Sequence, residues 1–504
     1  MKIKKIEPLA KVHLKALFRD FGGSLLQVRQ CVVHYDAKHL EQNAPEERKV
    51  AEATFAKCSY SFRFRVLSDA VGIRRGLLRG YLRLNAGEAG GRGKRLPGGL
   101  SIFLFSMRHF KFFFSAWLLV LALSGVCLGQ TAGSVTKYDK GNPTIGIVKY
   151  TGDAAGRAVL ETMLSKCDWF QVLKAAQADR ASVRLSVSAS NGAYAANVSA
   201  SGEGGKSFRV DGIGKDWNES AAKLTDAILK ELFGVPALCT RPIAYVITSG
   251  GLKEIYTCRV DGSAQTRLTH NNALSSEPSW GHSGALVYTL NKNNALKIVL
   301  VDVANSRQRT ISSARGLNAS AALSSSGRLV ALPLSLGKQV DLYLVDLSNG
   351  KPVRMTQDRD VESSPVFSPD GTQICFVSDK SGRPQLYLVS VDGGDARRLT
   401  SGASECVSPD WSPRSKLICC STRVNGQYVI ATLDPSKPGE KPVVVTEAAG
   451  QWEAPSWAPD GRHVVCTRST GGTQDLYLVD TWFHTFLPLT KGAHISLPAW
   501  APAR

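Results

Sequence analysis

A period of about 44 residues governs the C-terminal half of this 504-residue chain, and it narrows the possible folds more than any other feature. QLYLVSVDGGDARRLT (385–400) and DLYLVDLSNGKPVRMT (341–356) are the same kind of segment as EIYTCRVDGSAQTRLT (254–269), KIVLVDVANSRQRTIS (297–312) and DLYLVDTWFHTFLPLT (475–490). Tyr428–Thr446 is a looser sixth copy. The closing hydroxyls Thr269, Ser312, Thr356, Thr400, Thr446 and Thr490 are spaced by 43, 44, 44, 46 and 44 residues. A second mark runs in register: Pro278/Trp280, Pro365/Phe367, Pro409/Trp411, Pro455/Trp457 and Pro498/Trp500, with a degenerate copy at Ala321/Leu323. Turns such as Ser368-Pro-Asp-Gly371 and Ala458-Pro-Asp-Gly461 follow, and a short apolar strand comes next.

Four short strands in such a period make one β-propeller blade. A lone blade cannot bury both faces, whereas a ring of blades can. The stretch 243–269 supplies three strands without an inner one, and Leu497-Pro-Ala-Trp500 supplies an inner strand alone. The two are expected to close the ring as one blade. The expected fold is mainly β: a six-bladed propeller over 243–504, preceded by a small α/β domain over 142–235 and a linker over 236–242. The repeated aromatic and apolar positions are read as packing between blades.

In the region before the propeller, Thr144–Lys149 reads as a strand. Val159, Leu160, Met163 and Leu164 have helical spacing. Two alternating segments flank Asn191-Gly192, a hairpin signal. Asp216-x-x-Glu219 has the form of a capping box for a helix whose apolar face carries Leu224, Ile228, Leu229, Leu232 and Phe233, with Gly234 ending it.

Charge is unevenly spread. The whole chain has a formal charge of +20, but residues 1–106 hold 20 Lys+Arg against 9 Asp+Glu, while 130–504 hold 40 against 33. The basic character thus belongs mostly to the N-terminal stretch, and nucleic acid is not expected as a partner of the folded part. Residues 107–129 have the layout of a secretory signal peptide: Arg108 and Lys111, then an apolar run Phe112–Val126, then Cys127-Leu-Gly129 before a cut ahead of Gln130. Met107 is therefore read as the start. Residues 1–106 are read as a non-native upstream extension without order, and 130–141 as a flexible mature N-terminus. The alternatives are an internal anchor, a lipidated Cys127 or an RNA-binding basic tail.

This combination of leader, α/β domain and repeats of the form "IYxVDxdG…rrLT…PxWSPDG" over 107–504 resembles the TolB family, the periplasmic component of the Tol–Pal system. The resemblance implies a non-enzymatic periplasmic scaffold, peripheral to membranes. It would bind a Pal-like lipoprotein through the propeller and contact TolA through its mature N-terminus, here Gln130–Asn142. It further implies roles in outer-membrane integrity and cell division.

No catalytic constellation is evident: there is no G-x-S-x-G elbow, no H-E-x-x-H and no paired C-x-x-C. No cofactor and no metal are expected. His270, His282, His463, His484 and His494 are dispersed, and the Asp-Gly aspartates read as turn formers. Eight cysteines follow residue 130. Cys375, Cys419, Cys420 and Cys466 fall on the same strand of successive blades, too far apart to pair, and are read as small buried hydrophobes. The loops leading into the inner strands carry Glu277, Glu362, Glu405 and Glu453 near the Pro mark, with His270 and His494 beside them. These six residues are expected to form an acidic, hydrogen-bonding rim for a protein partner. The plainer reading is that they are solvated loop charges. The competing function is an enzyme or a sugar- or peptide-binding propeller that uses the central channel.

Overall fold

The computed structural model describes residues 60–65, 77–82, 94–95, 101–102 and 141–504, save 202–204, 282–283, 338, 358, 403–404, 493 and 504. The expected leader and mature N-terminus, up to residue 140, lie outside the described residues. The stretch expected to lack order does contain strand pairing: Tyr60–Arg65 runs antiparallel to Leu77–Leu82, and Lys94–Arg95 to Ser101–Ile102.

Residues 144–233 build a five-stranded sheet with two helices, α1 (Ala154–Lys166) and α2 (Trp217–Phe233). Thr144–Thr151 pairs in parallel with Gln171–Val172 and Val183–Ser190, and the remaining strands are antiparallel. The hairpin between Val183–Ser190 and Ala193–Ala200 turns on Asn191 and Gly192, both at positive φ. Val183, Leu185 and Val187 point into the core, and Arg184 between them is exposed. Asp216 caps α2 by accepting the Glu219 N–H at 2.7 Å, and Gly234 leaves the helix in the left-handed conformation at φ 66°. The linker is pinned rather than loose. Buried Asp226 of α2 accepts the N–H groups of Leu238, Cys239 and Thr240 and the Thr240 hydroxyl, at 2.6–3.0 Å.

The propeller has six four-stranded blades. The first combines Ile243–Ser249, Leu252–Cys258 and Thr266–Arg267 with the C-terminal strand Ile495–Trp500, which pairs antiparallel with Ile243–Ser249. Blades two to six begin at Leu274, Ala322, Glu362, Cys406 and Gln451. The third blade, degenerate in sequence, keeps only Ala322–Leu323 as its inner strand. Blades pack through stacked apolar layers, such as Ile418, Cys420 and Leu433 against Cys375, Val377 and Leu388.

The repeated threonine has a structural cause. Its Oγ1 accepts the N–H of an apolar residue in the N-terminal half of strand three. The pairs are Thr269 with Ile255, Thr356 with Leu342, Thr400 with Leu386, Thr446 with Ile430 and Thr490 with Leu476, all at 2.8–3.0 Å. The same hydroxyl donates to a buried acceptor, for example Gln385 from Thr400 at 2.7 Å. Thr400→Val keeps the shape but removes both bonds and leaves the buried Leu386 N–H without its hydroxyl acceptor. It should lower stability by about 1–3 kcal/mol in denaturant titration. An unchanged midpoint would show that this bond is dispensable.

Candidate functional site: the central channel and the domain seam

Each inner strand carries one distortion at the same place. The residue before the Pro mark has positive φ in all six blades: Glu277, Ser320, Ser364, Ser408, Ala454 and Leu497, between 46° and 55°. In five of the six blades the ladder slips in register there, which marks a β-bulge. The bulges ring the propeller axis and line a cavity of about 260 Å³ together with the following turns, Ser325, Pro369, Pro413 and Pro502 among them. Its lining holds two carboxylates, Glu277 and Asp410, and no Lys, Arg or His.

The two carboxylates differ in setting. Glu277 accepts the Ser320 N–H and hydroxyl at 2.8 Å and the Thr289 hydroxyl at 2.7 Å, so it braces the neighbouring blade. Asp410 is partly exposed to the channel and accepts the Trp457 N–H at 2.7 Å. Burial raises its carboxyl to about 6, and hydrogen bonds from Trp457, Ser456 and Trp411 only partly offset this. Between about pH 4 and 6 the folded chain therefore holds a proton that the unfolded chain has released. Asp410 thus subtracts stability as pH rises through that window. Asp410→Asn should flatten the decline in melting temperature between pH 4 and 7, and an unchanged slope would remove Asp410 as its source.

The expected rim does not assemble as one ring. Glu362 is wholly buried and accepts hydroxyls from Thr356 and Ser378, both at 3.2 Å. Glu405 pairs with Arg423 at 3.2 Å, and Glu453 is partly buried, with its carboxyl raised by desolvation. His270 and His494 are exposed. Only Glu277 lines the cavity. Glu405, Glu453, His270 and His494 lie toward the end where the inner strands begin, whereas the cavity sits at the end of the turns that follow them. A register that differs by one residue sends a side chain to the opposite face. The four glutamates stand one, two, three and four residues before their prolines.

A second cluster went unseen in sequence. At the turn end of blade six, Asp460 accepts the Trp169 indole N–H at 2.9 Å and bonds His463 Nδ1 at 2.6 Å, joining chain segments 291 residues apart. Arg462 is wholly buried. It pairs with Asp480 at 2.5 Å, donates to Asn142 at 2.5 Å and lies over the rings of Trp169 and Trp482, 4.6 and 4.8 Å from their centroids. His463 Nε2 faces Asp168 at 3.7 Å. Burial works against a charged imidazole here, but Asp460 and Asp168 outweigh it and hold the group at about 10. Asp460 in turn is held at about 2, because His463 outweighs desolvation. The core of the α/β domain continues across this seam into Val260, Val465, Leu476 and Leu478.

Asp168, His463 and Asp480 place ligand atoms within 4.8 Å of one another, a grouping that sequence spacing did not show. The donor set does not suit a metal. Asp480 already receives Arg462 and the Trp482 and Phe483 N–H groups, and the adjacent guanidinium is a fixed positive charge. The cluster is an ion-pair seam between domains. Its one local hint was Arg462-His463 after an Asp-Gly turn where blade four has Thr372-Gln373.

A six-bladed propeller seated through blades one and six on a small α/β domain defines the class. The family model described as the TolB beta propeller domain matches residues 230–504, more than half of the chain, and the chain belongs to that family. The chain is 30% identical over 92 residues to the Tol-Pal system protein TolB of Desulfosudis oleivorans, an alignment that spans 18% of this chain and 21% of that protein. The chain thus aligns with about a fifth of that relative's length. The crystal structure of TolB from Acinetobacter baumannii superposes with a TM-score of 0.63 at 22% identity, covering 72% of this chain and 97% of that one, which shows a shared fold. Among the described residues no helix is long and apolar enough to cross a membrane.

Proposed function

We propose that the chain is a periplasmic, non-enzymatic scaffold of the Tol–Pal system that binds a Pal-like lipoprotein, in support of outer-membrane integrity and division. The binding face is the end of the propeller where the inner strands begin, around His270, Glu405, Glu453 and His494. The observation that carries the choice of face is the seam: the α/β domain occupies the opposite, turn end of blade six through Trp169, Arg462 and His463. Glu277 and Glu362 are left out of the contact set because each holds buried hydroxyls in place. TolA is assigned to the segment Gln130–Asn142, whose last residue is anchored in the seam through Arg462 and the Asp168 carbonyl. Export by the leader from Met107 belongs to the same reading.

Calorimetric titration with the Pal-like domain of the same organism tests it. Replacing His270, Glu405, Glu453 and His494 together by alanine should weaken binding at least about tenfold, the loss expected when more than 1.4 kcal/mol of contact is removed. Ser325→Trp, on the cavity wall at the other end, should leave binding unchanged. The reverse pattern would move the partner to the turn end. A second reading, a small-molecule site, rests on the 260 Å³ cavity with its two carboxylates. Absence of Pal binding, with a small ligand displaced by Ser325→Trp, would establish that reading instead.

A further inference from the structure

The five-stranded sheet of the α/β domain ends on one side at Ser207–Gly212, whose only strand partner among the described residues is Ala193–Ala200. The Ala200 N–H donates to the Lys206 carbonyl at 2.8 Å. Hydrogen-bonded positions alternate along an antiparallel pair, so the backbone groups of Phe208, Val210 and Gly212 also face Ala193–Ala200. Those of Ser207, Arg209 and Asp211 then point outward, away from the sheet. The side chains alternate as well. Phe208 and Val210 are half-buried against the domain core, whereas Ser207, Arg209 and Asp211 are exposed. We propose that Ser207–Gly212 pairs antiparallel with the same strand of a second copy of this chain. The two sheets then join into one, about a two-fold axis at Val210.

Comparison with the other edges singles out this strand. Exposed edges are normally kept short, bulged or charged with one sign. Five of the outermost blade strands, Thr266–Arg267, Pro352–Arg354, Arg397–Arg398, Val443–Val444 and Thr485–Pro488, are two to four residues long. The longer one, Arg307–Ser312, is bulged in its ladder and carries two arginines and no acid. The far side of the α/β sheet ends in the two-residue strand Gln171–Val172. Ser207–Gly212 has none of these devices. It is six residues long, without proline or bulge, and it carries one charge of each sign.

Charge fixes both the occupant and the register. Outward-facing positions can bond only to outward-facing positions. Centring the pair on Arg209 or on Asp211 would set like charges directly opposite each other, which destabilises a strand pair. Centred on Val210, Arg209 stands opposite Asp211 of the second copy, twice by symmetry. Both groups are available, because their pair within the chain is loose, at 3.6 Å, and the side chains are 67% and 52% exposed. The same register sets Val210 against Val210 of the second copy in a close, non-hydrogen-bonded pair. Ser207 then comes opposite Ile213, which at 68% is the most exposed large apolar side chain among the described residues. Such an edge buries less than the roughly 1,200 Å² of a stable complex, so the dimer is weak and concentration-dependent. The pairing uses no propeller residue and does not rest on the Pal reading.

The test is sedimentation of the full chain alone, from about 1 µM to about 1 mM, the range in which a weak dimer populates. The expected result is a reversible equilibrium between monomer and dimer. Arg209→Asp should weaken dimerisation at least about tenfold, because two carboxylates then face each other across each pair. Asp211→Arg should do the same with two cations. Combining the two substitutions reverses every pair without losing one, and should restore the dimer to within about threefold of the parent. Both side chains are exposed, so each variant should melt like the parent, which separates lost pairing from lost folding. A chain that stays monomeric over the whole range overturns the proposal, including one whose edge instead takes up an extended peptide of another protein. So does a dimer that ignores either single reversal, or one that the double reversal fails to restore.

Discussion

Removing residues 495–504 should abolish the cooperative folding of the entire propeller. The strand Ile495–Trp500 is the inner strand of the blade that begins at Ile243, and it pairs with Ile243–Ser249 over most of its length. Its loss would strip that strand of one full edge and expose a row of backbone donors in the most buried layer of the ring. Trp500 and Ala501 are buried, and the Ala499 carbonyl accepts the indole N–H of Trp280 in blade two at 3.0 Å. The Trp500 N–H donates to Ser456 in blade six, also at 3.0 Å. The last strand therefore ties three blades together. The net stability of a domain is about 5–15 kcal/mol. Opening the ring forfeits the packing of two blade interfaces, enough to exhaust that margin. Calorimetry should show a broad transition or none. A truncated chain that melts like the parent would mean that the ring holds without its closing strand.

What the sequence made legible divides along physical lines. Blade number, the closing blade and the turn residues were readable because each repeats a local requirement. A threonine must cap strand three, a Pro mark must follow the bulge, and Asp-Gly must turn. Capping of α2 by Asp216 and Gly234 was readable because it is satisfied within one turn. The rim was misjudged because proximity to proline was taken as alignment. Glu362 and Glu405 are offset by one residue relative to their prolines, and an extended strand turns that offset into opposite faces. The bulge hid the true register. The seam was illegible for a different reason. Asp460 occupies the same motif position as Asp370 and likewise caps its own turn, through the Arg462 and His463 N–H groups, but its second oxygen also reaches Trp169 in another domain. One residue type at one motif position performs one task or two, and only the packing of the α/β domain decides which.

The seam yields the second large effect. Arg462→Met should cost about 3–5 kcal/mol, because it leaves Asp480 buried without its cation. It also removes the Asn142 contact and the guanidinium between Trp169 and Trp482. The loss should fall at the junction of the domains, so the α/β domain should unfold in a separate, earlier transition while the propeller keeps its own. Combining Arg462→Met with Asp480→Asn should recover part of the loss, since the orphaned charge is then gone. A double-mutant cycle measures this directly. The same seam has a defined pH response. Unfolded, His463 titrates near 6.5, and folded it titrates near 10. Between those values the folded state holds a proton that the unfolded state releases, so the stability from His463 is complete below about 6.5 and is lost as pH climbs toward 10. Asp460 limits the acid side: its contribution is complete above about 3.8 and is lost as pH falls toward 2. Domain coupling should thus be flat from about pH 4 to 6.5 and weaken progressively above. His463→Gln should remove the alkaline slope while keeping a polar side chain in contact with Asp460. If the wild-type transitions separate no further between pH 6.5 and 10, the imidazole carries no charge in the seam, and the coupling then rests on Arg462 and aromatic packing alone.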